Sequence, residues 1–297
     1  LKPGEILGGW GIVRILRKLA AAAVATVMVA LAVASVAAAT PVPTGEFAPF
    51  GDCPLGNSSI EECVHAEFES GALEIGLKTI PIVNPITLQG GYEGSGSEIQ
   101  FHGAEDGDTL SKPAEPVPGG LLGLTPPGSW PAWLREAFNE TVENGLTGIS
   151  ATIELAAPAT SIGLNLENLL LEEGTALSLP VKIKLDNPFL GSNCYIGSNA
   201  EPIVINLTTG TSGSLQGSAG TVTFNGPFTL ATLSNTELVN ETFAVPGANG
   251  CGGIASALVD PWLDSILGIP AASGQNSLTL KGMIGVAEAA AVNAAIM

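Results

Sequence analysis

Basic residues are the first scarcity in this 297-residue chain: 10 Lys and Arg stand against 28 Asp and Glu, a formal net charge of −18. A surface so anionic repels phosphate backbones, and no basic stripe interrupts it, so nucleic acid is excluded as a partner. Charged residues of either sign make up only 13% of the chain and aromatics 5%. Long exposed helices draw heavily on Lys, Glu and Arg, so this shortage argues against a helical architecture. Histidine is limited to His65 and His102. Nucleophilic catalysis needs a positioned base, and neither the Gly-x-Ser-x-Gly elbow nor the His-Glu-x-x-His helix occurs. The Gly/Ser-rich stretch 210–220 lacks the Gly-Lys-Ser/Thr ending of a phosphate loop. No Cys-x-x-Cys spacing is present, and His65 is two residues from Cys63, too close for a zinc-ligand pattern. The reading is therefore non-enzymatic, with no cofactor or metal. A carboxylate pair meeting only in the fold stays open, although the clefts of glycoside hydrolases are usually rich in the aromatic residues that are sparse here.

One long apolar run is present. Arg14, Arg17 and Lys18 precede it, it extends over residues 19–39, and it closes on Ala37-Ala38-Ala39 before Thr40-Pro41. A positive start, an apolar middle and a small-residue end describe a secretory signal peptide over 1–39. The alternative is an uncleaved membrane anchor, since about 20 apolar residues span a bilayer. Residues 40–297 then form a single secreted β-rich domain. Without the first 39 residues, 6 basic and 27 acidic residues remain, a net charge of −21. All four cysteines lie beyond the signal, as an oxidising compartment requires. Of three pairings, Cys53–Cys63 and Cys194–Cys251 are favoured. The first brackets the turn-rich residues 54–59, and the second is what remains.

Glycine (38) and proline (21) are plentiful and punctuate a series of short apolar runs. Residues 73–80 and 85–89 read as two strands joined by a turn. Further strands are expected at 148–155, 161–166, 176–185, 203–209, 220–224, 228–233 and 277–286. The run 177–185 alternates cleanly, with Pro180 placing it at a sheet edge or bulge. A helix is expected over 129–142, capped by Ser129, with Trp130, Trp133, Leu134 and Phe138 packing it across a sheet. A second, over 254–267, is expected to break near Pro261. The fold class is mainly β: an antiparallel β-sandwich or barrel with one or two short packing helices. Residues 90–128 read as a long acidic Gly/Pro-rich loop with a brief strand at 99–102 inside it. Its Glu105, Asp106 and Asp108 hold open weak calcium binding, though they fall short of a full calcium-loop pattern.

Residues 186–198, with the strand-like 201–210 after them, form a hub of turn residues around Cys194. The only other loop of that character is 247–253, around Cys251, so the two loops are expected to meet. Asn57, Asn139, Asn206 and Asn240 each begin an Asn-x-Ser/Thr sequon, which a Ser/Thr/Asn-rich chain also produces by chance.

The segments Asn187-Pro188-Phe189-Leu190-Gly191-Ser192-Asn193-Cys194-Tyr195-Ile196-Gly197-Ser198 and Phe243-Ala244-Val245-Pro246-Gly247-Ala248-Asn249-Gly250-Cys251-Gly252-Gly253 resemble a family of secreted actinobacterial proteins without an assigned activity. Phe50-Gly51-Asp52-Cys53-Pro54-Leu55 and Asn84-Pro85-Ile86-Thr87-Leu88-Gln89-Gly90-Gly91 carry the same likeness. The resemblance implies export from a bacterial cell and supplies no catalytic residue. The expected role is a secreted or cell-envelope structural or binding protein. The alternatives are a carrier of an apolar ligand such as lipid, or an oligomeric envelope pore.

Overall fold

The computed structural model describes residues 42–94, 99–124, 126–143 and 146–296. The 1–39 segment read as a signal peptide lies outside them. In chain order the first strands are β1 (Glu62–Ile75), β2 (Lys78–Ile82), β3 (Ile86–Glu93) and β4 (Gln100–Gly103). Next come β5 (Ala114–Pro116), β6 (Ser150–Leu155), β7 (Gly163–Leu164), β8 (Leu177–Asp186), β9 (Tyr195–Ile196) and β10 (Ile203–Leu207). A small hairpin, β11 (Thr211–Ser212) and β12 (Leu215–Gln216), precedes β13 (Thr221–Phe224), β14 (Leu230–Asn240), β15 (Ala248–Asn249) and β16 (Ser277–Glu288). The helices are α1 (Ala132–Glu143), α2 (Leu166–Leu171), α3 (Ser256–Leu267) and α4 (Ala289–Ala294).

Two open sheets result. The first has the order β13-β14-β16-β1-β3-β4, with β2 also on β1; the second has β15-β9-β8-β6-β5, with β10 and β7 on β8. Neither closes on itself, so the fold is an antiparallel sandwich and not a barrel. The sequence reason is visible in β8, where Leu177, Leu179, Val181, Ile183 and Leu185 are buried and the intervening residues face water. A period of two puts every apolar side chain on one face. These residues join Val64, Ala66, Phe68 and Leu88 of the first sheet in one apolar cluster. Burying each large side chain contributes about 1.5–3 kcal/mol. On its wet face β8 is laced by Lys182–Glu154 (3.7 Å) and Lys184–Asp186 (2.9 Å), and Lys182 lies 4.7 Å from the Tyr195 ring centre.

Several expectations are corrected. Residues 73–80 are not one strand but the end of β1, a Gly76-Leu77 turn and β2. Gly76 has φ +54, and a Cβ there would lie 2.3 Å from the Gly268 carbonyl oxygen, so the turn requires glycine. Pro180 is inside β8, between β10 and β6, and not at an edge. Its carbonyl accepts from Ala156 N (2.9 Å), just past the end of β6 at Leu155. The absent N–H therefore stands where the partner strand has run out. Within the 90–128 stretch β4 falls on the brief strand expected at 99–102, but the remainder is not simply surface loop, for it supplies β5 and buries Leu110, Val117 and Leu121. β5, of three residues, is too short to show a period.

The helices differ as well. α1 begins at Ala132, beyond the expected Ser129 cap, and it does not lie across a sheet: Val142 is buried while Trp133 is 69% exposed. Trp130 packs edge-on against Phe138, 5.8 Å between ring centres. α3 runs unbroken through Pro261. The bond Pro261 forgoes would end on Ala257, an exposed residue whose carbonyl water can serve.

Candidate functional site

Bulged strands flank the centre of the first sheet. β1 gains a residue against β16 between Phe68 and Ser70, and β14 does so between Ser234 and Thr236. Both shifts flank Gly282, which pairs with Phe68 on one side and Thr236 on the other. A Cβ on Gly282 would lie 1.9 Å from the Glu67 carbonyl oxygen, so the two strands close around a bare backbone. Bulges re-aim side chains and are frequent beside functional sites. Here they open a groove of about 440 Å³ lined by Glu69, Ser70, Ser234, Asn235, Glu237 and Lys281. Asn235, the extra residue of β14, has φ +58, a left-handed conformation that Asn tolerates. Lys281 is paired to Glu237 at 3.0 Å, leaving Glu69 as the groove's unbalanced charge.

Beyond the groove the sheet ends in β13. All four of its residues are exposed, and it pairs only with β14 among the described residues. The connecting turn holds Phe228 at φ +64 and 74% exposed, with its ring 5.8 Å from that of Phe224. A bulky residue in the left-handed region costs about 1–3 kcal/mol. Asn225 sustains it, its side-chain oxygen accepting from Thr229 N (2.9 Å) and Leu230 N (3.2 Å).

The other sequence candidates fall elsewhere. The disulfides Cys53–Cys63 and Cys194–Cys251 have Cα separations of 5.5 and 4.1 Å and join the pairs favoured from the sequence. The two cysteine loops meet further through Gly252 N donating to Leu190 O at 2.7 Å. Asp260 accepts from Cys251 N (2.8 Å) and Gly250 N (3.2 Å), and Asp264 accepts from Ala248 N (2.7 Å). At the hub, Asn187 donates to the Leu146 and Gly148 carbonyls and accepts from Phe189 N, so its polar groups are consumed by the fold. A shallow depression of about 810 Å³ borders it, lined by residues that include Pro116, Ile149, Ser150, Asp186, Asn187 and Ser192.

His102 Nε2 lies 3.2 Å from Glu93 Oε1, and hydrogen bonds from Ser59 and then His102 hold the Glu93 carboxyl below the usual range. Burial pushes His65 below the ordinary imidazole value, favouring its neutral form. Its Nδ1 is buried with no hydrogen-bond partner among the described residues. Neither histidine hydrogen-bonds a serine, threonine or cysteine among those residues. The acidic loop does not assemble as a cage: Asp108 pairs with Lys112 at 3.6 Å, and Asp106 accepts from Asp108 N at 2.8 Å. Among the described residues no three His, Cys, Asp or Glu side chains gather where a metal could be held. Among the sequons, Asn240 is buried and donates to the Asn206 carbonyl, a structural role.

Two features were beyond sequence reasoning. Lys78 is buried, and burial lowers its amine from the ordinary lysine value while Nζ donates to Pro118 O (3.1 Å) and Gly123 O (3.5 Å). Glu62 lies opposite Glu288 on one neighbouring strand and Tyr92 on the other. Burial, then Glu288, then Glu61 push its carboxyl up to about 7. Between the sheets, the apolar space around Leu73, Ile80, Ile86, Ile153 and Ile183 amounts to about 20 Å³, room for about one water molecule. Among the described residues no helix is long and apolar enough to cross a membrane. Set against known proteins, the chain matches no family model, no curated sequence and no solved structure.

Proposed function

We propose that the protein is exported from an actinobacterial cell, its 1–39 segment serving as the signal peptide, and acts outside it as a non-enzymatic structural or binding protein. The observation that carries this reading is where its recognition groups stand. Among the described residues the apolar space between the sheets around Leu73, Ile86 and Ile183 is about 20 Å³, while a polar groove of about 440 Å³ and an open strand edge lie on the outside. Disulfides form and persist in oxidising compartments, which agrees with an extracellular setting. The apolar-carrier alternative needs a pocket of about 300–1,000 Å³, far above what lies between these sheets. The pore alternative needs strands closed against lipid, and both sheets here have open edges.

Purified protein from the culture medium tests the reading. Its N-terminus should be Thr40, native mass spectrometry should show no lipid adduct, and broad esterase and glycosidase substrates should not turn over. An N-terminus at Leu1, a stoichiometric lipid, or turnover lost on replacing His102 would overturn it.

A further inference from the structure

We propose that the outer edge of β13 docks an extended peptide segment bearing Lys or Arg, which joins the first sheet as an added strand. The proposal rests on the binding reading above for its purpose and on strand geometry for its place. The alternation of the ladder identifies the free groups. Asn225 N donates to Leu230 O (3.0 Å) across the hairpin, and Glu288 N donates to Thr229 O (2.9 Å) on the far side of β14. Leu230, Thr232 and Ser234 therefore turn their backbone groups to β13, and their partners Thr223 and Thr221 answer them. The N–H and C=O of Val222 and Phe224 point away from the sheet, and no described residue bonds to them.

Natural proteins guard such edges with Lys, Pro, a bulge or a covering loop. β13 reads Thr-Val-Thr-Phe, contains no charge and no proline, and is exposed throughout. Its turn also holds Phe228 in a strained conformation beside Phe224, which places an exposed aromatic pair at the end of the edge. Strand addition is a recurring mode of peptide recognition, main-chain bonds supplying affinity and alternate side chains specificity.

Charge selects the occupant. Glu46 accepts from Asn225 at one end of the strand, and Glu172 accepts from Ala219 N at the other. Two copies pairing symmetrically about Thr223 would set Glu46 of one against Glu172 of the other, on chains that carry a net charge of −21 each without residues 1–39. A basic segment reverses that sign. Val222 shares the core side of the sheet with Leu233, and Thr221 shares the outer side with Ser234 at the groove. The matching segment alternates apolar residues, set beside Val222, Phe224 and Phe228, with basic ones on the outer side.

Fluorescence anisotropy with two labelled synthetic peptides tests this, one alternating Lys and Val, the other Glu and Val. The Lys peptide should bind at least tenfold tighter, and more weakly as salt rises. N-methylation of its alternate amides should cost at least tenfold. Val222→Pro should cost as much with an unchanged melting temperature, because the N–H it removes faces outward. Equal binding of the two peptides, no binding, or an N-methylated peptide that binds as before would overturn the proposal. So would a dimer in sedimentation that Val222→Pro dissociates, since the edge would then belong to a second copy. Enzymatic turnover would overturn the non-enzymatic reading while leaving this binding result standing.

Discussion

Glu62 is a residue whose surroundings strongly disturb its chemistry. With its carboxyl pushed up to about 7 from an ordinary 4.5, the folded protein holds a proton that the unfolded chain has released across that interval. Stability then declines as pH rises from about 4.5 through about 7, the direction linkage gives for a raised carboxyl. Glu62→Gln keeps the shape without the charge. In thermal melts the variant should be more stable than the parent at pH 8 and about equal at pH 4.5. An equal difference at both values would contradict the assignment. Nothing in the residues around Cys63 announces this behaviour, because the crowding carboxylate, Glu288, is 226 positions away and arrives only through the β1–β16 register.

Elements that cross the fold show what was legible and what was not. The clean alternation of 177–185 marked β8, and the turn composition around Cys194 and Cys251 marked two loops that do meet. A bulge, in contrast, is an event between strands. The shifts at Phe68/Ser70 and Ser234/Thr236 exist only relative to β16, so the groove had no sequence signature. The same holds for α1, whose apolar spacing is real but whose Trp133 meets no sheet, and for β13, whose alternation marks a strand without telling that both faces stay exposed. Two predictions belong here. Gly282→Ala forces a methyl to within 1.9 Å of the Glu67 carbonyl oxygen, and overpacking of this kind typically costs about 1–3 kcal/mol in urea unfolding. An unchanged midpoint would mean that β1 and β16 are not so close. Replacing both Cys194 and Cys251 by Ser, cysteines 57 positions apart, should cost about 4 kcal/mol. The Cys53 and Cys63 pair, 10 positions apart, should cost about 3 kcal/mol. The reverse order would show that native strain outweighs loop entropy.

For the molecule as a whole, the fold divides its labour between an apolar interior and an open flank. Leu177, Leu179, Val181, Ile183 and Leu185 pack between the sheets, two disulfides tie the loops at its margins, and charge lies at the surface except at buried residues such as Lys78 and Glu115. The proposed recognition surfaces are the groove and the β13 edge beside it. Residue-resolved amide exchange of the free protein tests that division most directly. The account predicts slow exchange at Thr221 and Thr223, bonded into β14, and fast exchange at Val222 and Phe224, turned to solvent; uniform protection of all four amides would show the edge to be covered and contradict it.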